Sequence, residues 1–345
     1  MKILLIRMMG LGDVASILIP AVKLVRHHYP QSNIHVLTYA AGNELMELVP
    51  EVDAVLAVTP EQWPSDLDAA IQSFMDIADR VILHQYDQIV NLDTWFMPCF
   101  LARILKDTGH SLQGNYINYS INEFFQKLHS HALSQAYFQD STQFLDSSFP
   151  NMSDWTVPWW DKYSDSGAYP EFYLRHCCGF DGDVDVSLPI EADLAFKKQA
   201  MGKKIIALSS SGSKVTKQYT HAAQLRIELE QAGFFVWGQF DGSVPMQTTL
   251  GRLKVTDLLV TVATSSQWLA KLVGCPSLLI PGALPPSVLG PDLVVDKIQQ
   301  CQYCYQNHCP QNVNFACMDV PADQVLVKVL NHFKKHRVTK SGIEV

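Results

Sequence analysis

Short apolar runs alternate with longer amphipathic stretches through the N-terminal half of the chain. Residues 3–6 are continuously apolar and stop at Arg7, and 14–28 carries apolar residues at helical spacing until Pro30. Strand-like runs follow at 34–38, 54–58 and 88–92. Helical patterns lie between them at 43–48 and 66–78, and another helix begins over 100–105. Strands separated by helices predict βαβ units and a parallel sheet.

From 108 to 185 the periodicity loosens and aromatic residues gather: Phe124, Phe125, Tyr137, Phe138, Trp155, Trp159, Trp160, Tyr163, Phe172 and Tyr173. They either line an acceptor site facing an interdomain cleft or pack irregular loops onto the core. Alternation then restarts, with strands at 204–209, 234–237, 258–262 and a last one at 277–280. Helices are expected at 220–232 and 265–273. The pattern predicts an α/β protein with two Rossmann-like domains, 1–185 and 186–345, linked near 181–189. A final helix is expected to pack back on the N-terminal domain.

Composition fits this division. The chain has 345 residues, 48% of them hydrophobic and 17% charged, enough for two cores of roughly 150–180 residues each. A net charge of −8 argues against a nucleic-acid partner, which needs clustered Lys and Arg. No apolar run approaches the ~18 residues of a membrane span, so at most peripheral membrane contact is expected. The opening segment lacks a signal-peptide pattern, and a cytoplasmic location is expected.

Candidate chemistry sits at the ends of predicted strands. Gly10 and Gly12 make a turn after the first strand, and Asp13 follows at a helix start. Asp13 either caps that helix or presents a carboxylate as a base. Ser210, Ser211, Gly212 and Ser213, with Lys217 behind them, form a Ser/Gly turn able to offer N–H groups, hydroxyls and a cation to phosphate; the plainer reading is a solvated loop. Thr264, Ser265 and Ser266 repeat the choice at the next helix start, as an anion site or as ordinary caps. Asp241 is either a ribose ligand or a turn residue before Gly242. The D-x-D spacing in Asp181, Asp183 and Asp185 reads as a linker turn rather than a diphosphate-bound cation site, so no catalytic metal is expected.

Eight cysteines divide into two groups. Cys99, Cys177, Cys178 and Cys275 lie among apolar residues and read as small core side chains. Cys301, Cys304, Cys309 and Cys317 share a 17-residue window. In a reducing compartment such a cluster offers tetrahedral thiolate ligands to a structural zinc or iron, with unliganded thiols or disulfides as the alternatives.

Several of these segments, in this order, resemble the family 9 glycosyltransferases, the heptosyltransferases of bacterial surface-polysaccharide synthesis. The opening KILLIRMMGLGDV is similar to that family's first strand and "GD" turn. Ser210 to Ser213 followed by Lys217-Gln218-Tyr219 resembles its "GSGS…K-x-W" loop. Thr264-Ser265-Ser266 through Trp268-Leu269-Ala270 and Gly274-Cys275-Pro276 resembles its "DSGPMHLA…G-x-P" segment. Gly282 through Gly290-Pro291 and the cysteine-bearing tail complete the match. The chain departs from the family at Ala263, Trp268 and Pro285, where the family has Asp, His and Asp.

The resemblance implies a GT-B arrangement, with the two domains facing across a cleft. It implies an inverting, metal-independent transfer of heptose from an ADP-activated donor to a hydroxyl of a glycan, glycolipid or protein, as in lipopolysaccharide biosynthesis. Asp13 would be the base. Gly10, Gly12, Ser211, Gly212, Ser213, Lys217, Asp241, Thr264, Ser265 and Ser266 would bind the donor. The replaced positions motivate a second reading, a weak or non-catalytic nucleotide-sugar-binding relative acting with a partner. Either reading is compatible with an oligomer.

Overall fold

The apolar run after Met1 forms β1 (Lys2–Ile6), whose last four residues are fully buried. A strand buried on both faces belongs in the middle of a parallel sheet. It pairs in parallel with β2 (Asn33–Tyr39), which pairs with β3 (Ala54–Val58). On its other side β1 meets β4 (Gln88–Asn91), followed by β5 (Leu112–Ile117) and the antiparallel β6 (Leu145–Ser147). The sheet order is therefore β3-β2-β1-β4-β5-β6. Residues 1–8, 10–156, 168–212, 214, 217–306, 309 and 315–340 are described by this computed structural model, 335–340 through their backbone alone.

The helix expected over 14–28 begins earlier, at Leu11, and contains a wide π turn, Val14–Leu18, before the regular stretch Ile19–His28. Pro20 stands just beyond the wide turn, where its missing N–H would interrupt a regular ladder. β5 lies in the stretch of loosened periodicity. Its residues LQGNYI carry a Gln, a Gly and a buried Asn, so no apolar run announces it. Phe124 and Tyr137 are buried in the first core with Phe96, Phe100 and Phe144, while Phe125 and Phe138 pack against it. These aromatics hold helices onto the sheet. Trp159, Trp160 and Tyr163 lie outside the described residues.

The chain divides into two units, Met1–Val186 and Ser187–Val345. The second is built on β7 (Ile205–Ser209), β8 (Phe235–Trp237), β9 (Leu258–Val262), β10 (Ser277–Ile280) and β11 (Leu293–Val294). All pairs are parallel, in the order β11-β10-β9-β7-β8. β11 follows the strand expected to be last. The final helix, expected on the N-terminal domain, buries Val325 and Val329 in the second core with Leu225, Leu229 and Phe234. No helix among the described residues is long and apolar enough to cross a membrane.

Candidate functional site

Open parallel sheets bind ligands outside the carboxyl ends of their strands, where the strand order reverses. In the first unit that place lies between β1 and β4, the strands that continue into residues 7–12 and 92–95. Arg7 ends β1 with its side chain only 2% exposed. Its Nη1 donates to the Leu92 carbonyl at 2.6 Å, and Nη2 stands 3.3 Å from Asp13 Oδ1. Asp93 Oδ1 is 4.0 Å from Nη1, and the Tyr173 ring lies 5.4 Å from the guanidinium carbon. Burial would depress the Arg7 pKa, but Asp13 and then Asp93 outweigh it and raise it well above the usual value. Arg7 is therefore a fixed positive charge.

Gly10 sets the direction of Asp13. Its φ of +79° is one that glycine adopts without strain, and its carbonyl accepts from the N–H groups of both Asp13 and Val14. Gly10 occupies the cap position of the helix, and no side chain caps it. Asp13 stands inside the first turn, with its side chain 35% exposed and paired with Arg7. A β-carbon on Gly10 would come within 3.0 Å of Asp13 Oδ2. Of the two sequence readings of Asp13, a helix cap is not the geometry observed.

Asp93 is fully buried and was not singled out from the sequence. Its carboxylate accepts from Met8 N (2.6 Å), Thr94 N (2.9 Å) and Trp95 N (3.3 Å), tying the loop after β1 to the loop after β4. Asn115 donates to the Asp93 carbonyl and to the Tyr173 hydroxyl, and that hydroxyl donates to Leu92 O at 2.7 Å. Burial raises the thiol pKa of Cys99 and Cys178, and that of Cys177 to about 12. With Cys275, all four are buried, unreactive core residues, as their surroundings suggest. A charge placed immediately after each of two apolar strands was the available signal for Arg7 and Asp93.

In the second unit the order reverses between β7 and β9. Beyond β7 the chain folds back on itself: Ser211 bridges Gln218, Gly212 N donates to Lys217 O (2.8 Å), and Tyr219 N donates to Ser210 O. A β-carbon on Gly212 would lie 2.9 Å from Lys217 Cβ and 3.5 Å from Thr264 Cβ. Gly212, Lys217 and Thr264 thus meet in one place. Thr264 precedes the helix Ser265–Leu272 and makes no side-chain cap bond to it. Ser266 is placed differently. It is buried, its hydroxyl bonded to Thr261 Oγ1 at 2.8 Å, so it braces the turn from within instead of lining it. Ser213 lies outside the described residues.

Asp241 accepts from the N–H and hydroxyl of Ser243, which hold its pKa below the ordinary range. Its carboxylate is engaged in the turn that Gly242 completes at φ +80°. Asp185, at the end of the D-x-D run, pairs with Lys23 at 2.7 Å, and His28 contacts the Asp181 carbonyl. That run therefore fastens the end of the first unit to its own helix Ile19–His28.

Cys301, Cys304, Cys309 and Cys317 are all partly exposed. Partial burial raises the Cys317 pKa, and the other three cysteines, close enough to act on it, raise it further. Among the described residues, no three His, Cys, Asp or Glu side chains stand in an arrangement that would hold a metal ion. The four thiols are gathered without converging.

No family model matches the sequence, and no curated protein does. Solved structures match at the level of fold. The glycosyl transferase family 9 structure from Veillonella parvula DSM 2008 superimposes with a TM-score of 0.56 at 13% identity, over 96% of each chain. The ADP-heptose LPS heptosyltransferase II of E. coli gives 0.55 at 13% identity, over 96% of this chain and 99% of its own. TibC of enterotoxigenic E. coli H10407 is a dodecameric iron-containing heptosyltransferase whose structure holds ADP-D-beta-D-heptose. It gives 0.57 at 13% identity, over 97% of this chain and 76% of its own. The shared feature is the fold, two Rossmann-like units in succession.

Proposed function

We propose that this chain, which has the fold of family 9 glycosyltransferases, is an inverting, metal-independent glycosyltransferase. It moves a heptose from an ADP-activated donor to a hydroxyl of a surface glycan, glycolipid or protein. One observation carries the reading: polar groups suited to the two halves of such a reaction stand at the strand-order reversal of each sheet. Asp13, paired with Arg7, takes the proton of the acceptor hydroxyl as that oxygen attacks the anomeric carbon. The bond from that carbon to the diphosphate breaks, and the departing negative charge is met by the turn of Ser211, Gly212, Lys217, Thr264 and Ser265. Gly10 and Gly12 shape the loop that presents Asp13. Asp241, whose Oδ1 is held by Ser243, would meet the ribose through Oδ2.

Thermal denaturation with ADP, ADP-heptose and GDP-sugars tests the donor, because a ligand of the folded state raises its stability with the logarithm of occupancy. ADP compounds are expected to stabilise the protein, and Lys217→Ala to weaken their binding by about tenfold, the order of one charge-assisted phosphate contact. GDP-sugars binding as well as ADP-sugars would remove the adenine preference. Ala263 and Trp268 are buried apolar side chains where the resembled family carries Asp and His, and they favour a second reading, donor binding without transfer. Stabilisation by ADP-heptose with no release of ADP, whatever acceptor is supplied, would select it.

We further propose that Cys301, Cys304, Cys309 and Cys317 hold a structural zinc or iron, which would draw their sulfurs together. Metal analysis of the purified protein is expected to find close to one equivalent, lost in the double variant Cys301→Ser, Cys304→Ser. Metal-free wild-type protein would overturn this.

A further inference from the structure

Three charges sit at the first strand-order reversal, and their surroundings are unequal. Asp93 is fully buried, but three backbone N–H groups already satisfy its carboxylate. Asp13 opens to solvent and pairs with Arg7. Arg7 has little freedom to choose between them. Leu92 O fixes Nη1, the Tyr173 ring packs against the guanidinium, and burial keeps water away. Resting on the glycosyltransferase reading, we propose that Arg7 is a positioning residue, which holds the Asp13 carboxylate aimed and anionic while Asp93 offsets part of its charge.

The sign of each change follows from charge. A base acts only when ionised, so transfer falls as pH drops through the Asp13 pKa. Removing the Arg7 cation favours the protonated acid and moves that acidic limb to higher pH. Removing the Asp93 anion leaves Arg7 wholly to Asp13 and moves the limb to lower pH. The other titratable groups facing Arg7 are Tyr169 and Tyr173 from the helical segment Tyr169–Cys177 and the thiols of Cys99 and Cys178. Burial keeps Tyr173 and both thiols neutral over the working range, so none of these three mimics the shift.

The test compares kcat/KM against pH for wild type, Arg7→Gln, Arg7→Lys and Asp93→Asn. Arg7→Gln is expected to raise the acidic limb by about one pH unit, Arg7→Lys to restore it, and Asp93→Asn to lower it. A uniform loss at every pH with the limb unmoved would mean that Arg7 serves only the fold and would overturn the proposal. Carbon-13 NMR titration of aspartate carboxyls, with Asp13→Asn identifying the Asp13 signal, reads the same shifts without turnover. Unchanged transfer in Asp13→Asn would therefore remove the base while the titration still judges Arg7. If Arg7→Gln does not fold, Asp93→Asn and Arg7→Lys decide: an Asp13 signal that titrates as in wild type in Asp93→Asn overturns the proposal.

Discussion

On the glycosyltransferase reading, Asp13→Ala is expected to lower the turnover of sugar transfer by about 10²–10⁴-fold and to leave donor binding close to wild type. The magnitude is that of losing general-base assistance. The separation from binding follows from where the groups lie: Asp13 belongs to the first unit, whereas Gly212, Lys217 and Thr264 belong to the second. Some stability is expected to be lost as well, because Asp13 is the nearer counter-charge of the buried Arg7. Asp13 makes no side-chain cap bond, and without it Arg7 keeps Leu92 O and Asp93. Single-turnover rates measured with saturating donor, beside the affinity for ADP, check both halves. A variant that transfers sugar at the wild-type rate takes Asp13 out of the reaction.

Gly114→Ala is expected to cost the first unit about 3 kcal/mol or more, a loss reserved for cores that cannot yield. Gly114 lies in β5 at φ +105°, opposite Asn91 of β4. A β-carbon there would sit 2.2 Å from the Asn91 carbonyl oxygen and 2.9 Å from the Phe149 ring. The obstruction is backbone, so no rotamer relieves it. For a unit of this size the loss corresponds to a Tm lower by roughly 6–12 °C. Gly109 is the control. It also has positive φ, +89°, but nothing lies within 4 Å of its would-be β-carbon, so Gly109→Ala should cost only about 1 kcal/mol for its backbone conformation. Denaturation curves of the two variants, measured side by side, separate the clash from the conformational cost. Equal losses would show that β5 moves aside.

Largely apolar runs made β1, β7, β9 and β10 legible, because a central parallel strand buries both faces and needs no polar alternation. β5 was hidden for the opposite reason. Its buried Asn115 donates to the Asp93 carbonyl and the Tyr173 hydroxyl, contacts set by residues far away in sequence. The helix Met246–Lys254 was missed as well, since Gln247, Thr248 and Thr249 fill its first turn and Gly251 packs against the Glu191 carbonyl. At the site, Asp13 and Gly212 were visible as a turn aspartate and a turn glycine. What Asp13 does with its carboxylate depended on Gly10 taking the cap position. Arg7 and Asp93 read only as the ends of strands, since a buried charge shows its meaning when its partners are known. The burial of Ser266 against Thr261 was not legible either, since a hydroxyl at a helix start looks the same whichever way it turns.

The contacts that Arg7 and Met8 make with Leu92 and Asp93 each span 85 residues. Asp13 and its glycine turn leave the ribosome well before β4 exists, and until the intervening loop closes the carboxylate lacks its fixed cation. Loop closure of that length costs entropy that only the completed β1–β4 pairing repays. A chain caught partway through folding therefore carries Asp13 and Arg7 without the Leu92 and Asp93 contacts that hold the guanidinium in place. The Arg7–Asp13 pair thus becomes fixed when the central strands of this unit join, so its order rests on long-range pairing.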